Sequence, residues 1–167
     1  MISRWSKIIL MGCYGFFFFL VVLNNLTDYS SNYLFVSNVL SMTDTFAERA
    51  PAWRSINTAP LHHLIYWGII ITECGIMILA WLGCWQLWKH RLVTSPDFHI
   101  HKKWSIAALT LGMVLWFGGF IAIGGEFFLM WQSVDWNGNP TAYRKCHSHY
   151  VVARVCQYAG SIRCYWS

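Results

Sequence analysis

Glu73 is an ionisable residue near the middle of Leu61–Leu87, a stretch that otherwise reads as a membrane-spanning helix. Water does not reach the centre of a bilayer, so a carboxyl group there faces protein or a wet cavity and is a functional candidate by default. At 100° per residue, His62 and Glu73 share a helix face, with Tyr66 and Ile69 or Ile70 between them. A rise of 1.5 Å per residue puts Glu73 roughly 16 Å below His62. His62 and His63 then belong at the outer interface and Glu73 near the midplane. A second acid, Glu126, precedes Trp131 by about 7 Å of helix. It shares helical spacing with Gly112, Gly119 and Ala122. Small residues let helices approach closely in lipid, so this stripe is expected to face protein and Glu126 to point inward. Asn24 and Asn25 end the first apolar run at a similar level. The candidate polar site is therefore Asn24, Asn25, His62, His63, Tyr66 and Glu126, with Glu73 deeper.

Two chemistries suit such a group. The side chains partner one another and fix helix register, as buried polar groups require. Alternatively they hold a small ligand, an ion or a quinone headgroup. Haem ligation suits them less, because adjacent residues on a helix point about 100° apart and His62 and His63 cannot easily share one iron. No cofactor is expected, and no metal site. No enzyme signature appears: no Ser-His-Asp order in motif context, no Gly-rich phosphate loop, no His-Glu-x-x-His.

The elements that must position these residues are membrane spans. Of the 167 residues, 56% are hydrophobic and only 11% charged, against about 25% in a soluble domain. Three segments reach the roughly 20 apolar residues a crossing needs: Ile8–Leu26, Leu61–Trp88 and Trp104–Trp131. The first is too long, and lacks the small-residue cleavage site, for a signal peptide. Tryptophans at the segment ends suit the membrane–water interface. Arg4 and Lys7, then Lys89, Arg91, Lys102 and Lys103, place the N-terminus and the loop 89–103 in the cytoplasm and the loop 24–60 outside. Within that outer loop, Asn32–Met42 has helical apolar spacing and predicts a short amphipathic outer helix. Ala50-Pro51 interrupts it, and Trp53 with Ile56 suggests a further apolar contact. The net charge of +5 is no nucleic-acid signal, since the basic residues flank apolar runs instead of forming a face.

After Tyr143 the composition changes. The domain division expected is a transmembrane helical domain over residues 1–143 and an aberrant or disordered tail over 144–167. Cys146, His147 and His149 lack zinc-ligand spacing. A change of reading frame accounts for the switch: synonymous codons for Lys145 through Ser161 permit a +1 frame reading N-V-I-A-I-M-S-L-L-V-F-V-N-M-P-D, an apolar fourth helix.

The stretches Leu23-Asn24-Asn25-Leu26-Thr27-Asp28-Tyr29, Leu61-His62-His63, Gly124–Ser133 and Trp136-Asn137-Gly138, with Glu73, resemble a bacterial family of predicted small integral membrane proteins, domain of unknown function 2165. The resemblance implies four transmembrane helices and transfers no activity. The fold expected is an all-α, polytopic membrane helix bundle with three transmembrane helices, the family's fourth being lost by the frame change. The leading functional expectation is a non-catalytic accessory or scaffold protein of the bacterial inner membrane, in contact with the bilayer and with a larger membrane complex or further copies of itself. The alternative is a membrane protein that binds a small molecule, ion or quinone at an intramembrane carboxylate.

Overall fold

A 26-residue helix, α1 (Ile2–Thr27), carries the apolar run with its block of four phenylalanines. The computed structural model describes residues 2–45 and 52–158, which are helical throughout their ordered elements and contain no strand. α2 (Tyr29–Ser41) follows across Asp28 and stops at Met42, whose left-handed φ of 54° turns its N–H back onto the carbonyls of Asn38 and Val39. That is the short helix expected at Asn32–Met42, begun a turn earlier. A 3-10 turn at Ala52–Arg54 precedes α3 (Ala59–Lys89). Pro60 sits in the first turn of α3, where its missing N–H costs no helical hydrogen bond. α4 (Ser95–Ile100) leads into α5 (Lys103–Met113). From Val114 to Phe127 the same rod continues as a π-helix, closed by a 3-10 turn at Met130–Gln132. α6 (Asn139–Tyr158) completes the chain of elements. The expected break at Ala50-Pro51 and residues 159–167 of the expected tail lie outside the described residues.

α3 is the hub. Its buried residues, His62, Tyr66, Ile70, Glu73, Ile76, Ala80, Gly83 and Leu87, recur every three or four positions, the signature of one face turned to protein. The lower part of that face packs on α1, and glycines set the approach. A β-carbon at Gly15 would lie 2.9 Å from the Trp81 indole, and one at Gly83 would lie 2.8 Å from the backbone nitrogen of Ser105 in α5. Such close backbone contact is what small residues provide between helices in lipid. The first turns of α3 extend past the end of α1 and pack on α2 instead. There the N–H of Ile56 donates to the carbonyl of Leu40 at 2.8 Å. Met11, Phe18, Ile76, Ala80 and Ala108 are fully buried between these helices.

Three helical stretches are long and apolar enough to cross a membrane: Ser3–Thr27, Ala59–Lys89 and Phe98–Phe127. Their outward faces are apolar too. Phe16, Ile71, Trp81 and Val114 are each more than half exposed, a surface that acyl chains solvate and water does not. The fold is an integral membrane helix bundle.

Residues 144–158, expected as tail, are helical here. α6 packs along the π-helical segment, α5 and α1, in the fourth position of the bundle. Its sequence is much less apolar than the spans, carrying Arg144, Lys145, His147, His149 and Arg154. The interface it makes leaves Tyr14 Oη, Trp116 Nε1, Asn139 Oδ1 and His149 Nε2 buried without hydrogen-bond partners among the described residues.

Candidate functional site

Tyr66 and Glu73 reach the bundle interior because α3 returns the same face every seven residues. Both are 1% exposed. The group opposite them is Asn25, in the last turns of α1 and 8% exposed. Asn25 Nδ2 donates to Glu73 Oε2 at 2.6 Å, and the Tyr66 hydroxyl donates to Asn25 Oδ1 and to its backbone carbonyl, each at 3.1 Å. The three side chains therefore form one connected network across the α1–α3 contact. A hydrogen bond to a carboxylate is shorter and stronger than one between neutral groups. Glu73 is at the middle of α3 yet opposite the end of α1, because α3 is the longer helix and its first turns belong to α2.

The histidines do not join this network. His62 is buried, but its Nε2 pairs with the carbonyl of Ile56 at 2.7 Å and so ties down the segment that enters α3. His63, one position on, is exposed. Its ring stacks on Tyr33 at 4.1 Å between centroids, and its Nδ1 lies 2.7 Å from the Tyr29 hydroxyl. The 100° between neighbours sends the two rings to different surroundings.

Glu126 is also absent from the site: it is exposed on the bundle surface. The stripe drawn through Gly112, Gly119, Ala122 and Glu126 assumes 3.6 residues per turn. From Val114 to Phe127 the backbone is π-helical, with i→i+5 bonding and a wider turn. The residues turned inward there are Leu115, Trp116, Ile121 and Gly125 instead.

Above the network is a cavity of about 560 Å³. Asn24, exposed on its rim, Asn25, Tyr66 and Glu73 line it, together with Asn32 of α2 and Asn137 of the loop before α6. Phe17, Leu20, Phe35, Trp116 and Phe120 make its apolar walls. On the α6 side, the Lys145 ammonium lies 3.5 Å from the centroid of the Trp116 ring and near enough to Glu73 to attract it. Sequence reasoning misses Asn32, Asn137, Trp116 and Lys145. Only tertiary packing brings them together; a hint for Asn137 lay in its Asn-Gly turn.

One contact joins two of the elements that line this cavity. The Asp44 carboxylate, just past α2, accepts hydrogen bonds from Ser133 Oγ (2.7 Å) and from the backbone N–H groups of Val134 (2.9 Å) and Asp135 (3.3 Å). The Ser133 hydroxyl first, then the two amides, hold the Asp44 carboxyl below its usual range. The contact fastens the end of α2, which carries Asn32, to the loop that carries Asn137.

Among the described residues no three His, Cys, Asp or Glu side chains gather into a metal-binding group. The sequence model of a family described as predicted small integral membrane protein, domain of unknown function 2165, matches residues 3–157. The match runs from α1 through α6, past Tyr143. No curated protein and no solved structure matches the chain.

Proposed function

The chain belongs to the family of predicted small integral membrane proteins, and on that basis we propose that it is a non-catalytic protein of the bacterial inner membrane that binds a small amphipathic molecule beside Glu73. One observation carries this reading. A carboxylate that is 1% exposed has a single hydrogen-bond partner, Asn25, among the described residues, and it lines a cavity of about 560 Å³. A network that served packing alone would close around its acid, because an unmet buried polar atom is costly. Here the second carboxylate oxygen is left for something that enters the cavity.

The cavity also indicates the route of entry. Phe17 and Leu20, which line it, are 40% and 45% exposed on a helix apolar enough to span a membrane. A ligand passing between them comes from the lipid and carries an apolar part. The positively charged ends support an orientation with the N-terminus and loop 89–103 cytoplasmic and loop 24–60 periplasmic.

Native mass spectrometry of gently purified protein tests the reading. The expected result is a non-covalent amphiphile retained by the native chain and lost from Glu73→Leu. Protein that never carries or takes up an amphiphile would overturn it.

A further inference from the structure

We propose that the head of the bound amphiphile is uncharged and hydroxylated, of the glycerol or sugar type; this rests on the reading of the cavity as an amphiphile site. The argument is an inventory of hydrogen-bonding groups left over around the cavity.

Asn25 already gives to Glu73 and receives from Tyr66. Asn32 gives its Nδ2 to the Asp28 carbonyl at 2.9 Å, which leaves its Oδ1 as an acceptor. Asn137 receives the Asn139 N–H on its Oδ1 at 3.1 Å, which leaves its Nδ2 as a donor. Asn24 has no side-chain partner among the described residues and offers both. Glu73 contributes its remaining oxygen, an acceptor. Lys145, which also lines the cavity, adds an ammonium donor that attracts Glu73, so donors and acceptors stand together around one cavity.

Each class of head meets that set differently. A hydroxyl both donates and accepts, so a group of neighbouring hydroxyls satisfies amide donors, amide acceptors and the carboxylate together. A quinone carbonyl or a phosphate only accepts: it would meet the Lys145 ammonium and the amide donors, but would set an oxygen against the Glu73 carboxylate and leave Asn32 Oδ1 unmet. An ammonium only donates, and would leave the Asn24 and Asn137 N–H groups unmet. The walls agree with this choice. Trp116 and Phe120, with ring centroids 4.5 Å apart, present apolar ring surface to the carbon skeleton of the head. The half-exposed Phe17 and Leu20 leave room for the tail among acyl chains.

The test uses the whole purified protein in amphipol, so that no detergent competes. Dodecyl glucoside, monolauroylglycerol, dodecyl phosphocholine, dodecyl sulfate and dodecylammonium are titrated singly by native mass spectrometry. The expected result is that a glucoside or glycerol head binds about tenfold more tightly than each charged head, with the tighter of the two naming the source. Asn24→Leu replaces a rim residue outside the buried network. It is expected to remove most of that preference while circular dichroism and elution volume stay unchanged. Equal binding of all five probes would overturn the hydroxylated head and leave an amphiphile site standing. Binding of none would overturn both. Preference for a charged head, or an Asn24→Leu variant with selectivity intact, would also overturn the assignment.

Discussion

Glu73 is held by an amide and a phenol in series, and the two links differ in strength. Asn25 contacts the carboxylate itself, so Asn25→Leu leaves a buried acid without its donor and is expected to cost about 1–3 kcal/mol. Tyr66→Phe removes a neutral donor from Asn25 and is expected to cost about 1 kcal/mol. Denaturant unfolding in mixed micelles checks the order; a larger loss in Tyr66→Phe would contradict it. Asp44 offers a pH test outside the spans. Its folded carboxyl titrates below the ordinary value of about 3.9, so its stabilising contribution is present above that value and is lost as the pH falls through the lower folded one. Hydrogen exchange at residues 133–136 should rise at that lower pH, and Asp44→Asn should abolish the step. Part of this chemistry is legible from the sequence. The face shared by His62, Tyr66 and Glu73 follows from helical period alone, and all three are buried as that period requires. The pairing of Glu73 with Asn25 is not legible, because it depends on how far α3 slides along α1. The orientation of His63 depends on α2, whose tyrosines capture it.

Among the elements, α3 and α5 show how glycine sets the packing. Gly83→Ala pushes a methyl into the backbone of Ser105 and must move α5. Gly68, on the same helix, has nothing within 4 Å of its missing β-carbon. Gly68→Ala is therefore expected to be neutral or to stabilise by up to about 1 kcal/mol, and Gly83→Ala to destabilise. Thermal unfolding of the pair checks the contrast, and equal effects would contradict the close approach. Helix positions and the three spans are readable from apolar length. The π winding from Val114 to Phe127 is not, since sequence periodicity assumes 3.6 residues per turn, and this is why Glu126 lies outside the site. α6 is the element least suited to its place. A polar helix fills a slot between apolar ones, and four buried polar atoms at that interface lack partners among the described residues. We propose, from this mismatch and the abrupt change after Tyr143, that the gene's +1 frame encodes the apolar helix for which the slot is shaped. Sequencing the coding DNA across the Tyr143 codon should find that apolar run, and its absence would remove the proposal.

At the scale of the whole molecule, an apolar exterior surrounds a small polar centre. The exterior holds Phe16, Ile71, Trp81 and Val114 in lipid, and the centre holds Glu73 away from it. Topology is checked by impermeant thiol labelling of intact cells, measured against the unsubstituted chain. Ser30→Cys should label from outside and Thr94→Cys only after permeabilisation, and the reverse pattern would invert the proposed orientation. An accessory role predicts in addition that a larger complex co-purifies in gentle detergent, whereas a lone ligand-bound monomer would argue for binding as the whole function. The most direct test of the account is photo-crosslinking with a dodecyl glucoside that carries a diazirine beside its sugar. The account predicts labels concentrated on peptides containing Asn24, Asn32 and Trp116, and reduced labelling there in Glu73→Leu. Labels spread evenly over outward residues such as Trp81 and Ile71, unchanged by that substitution, would contradict a buried site at Glu73.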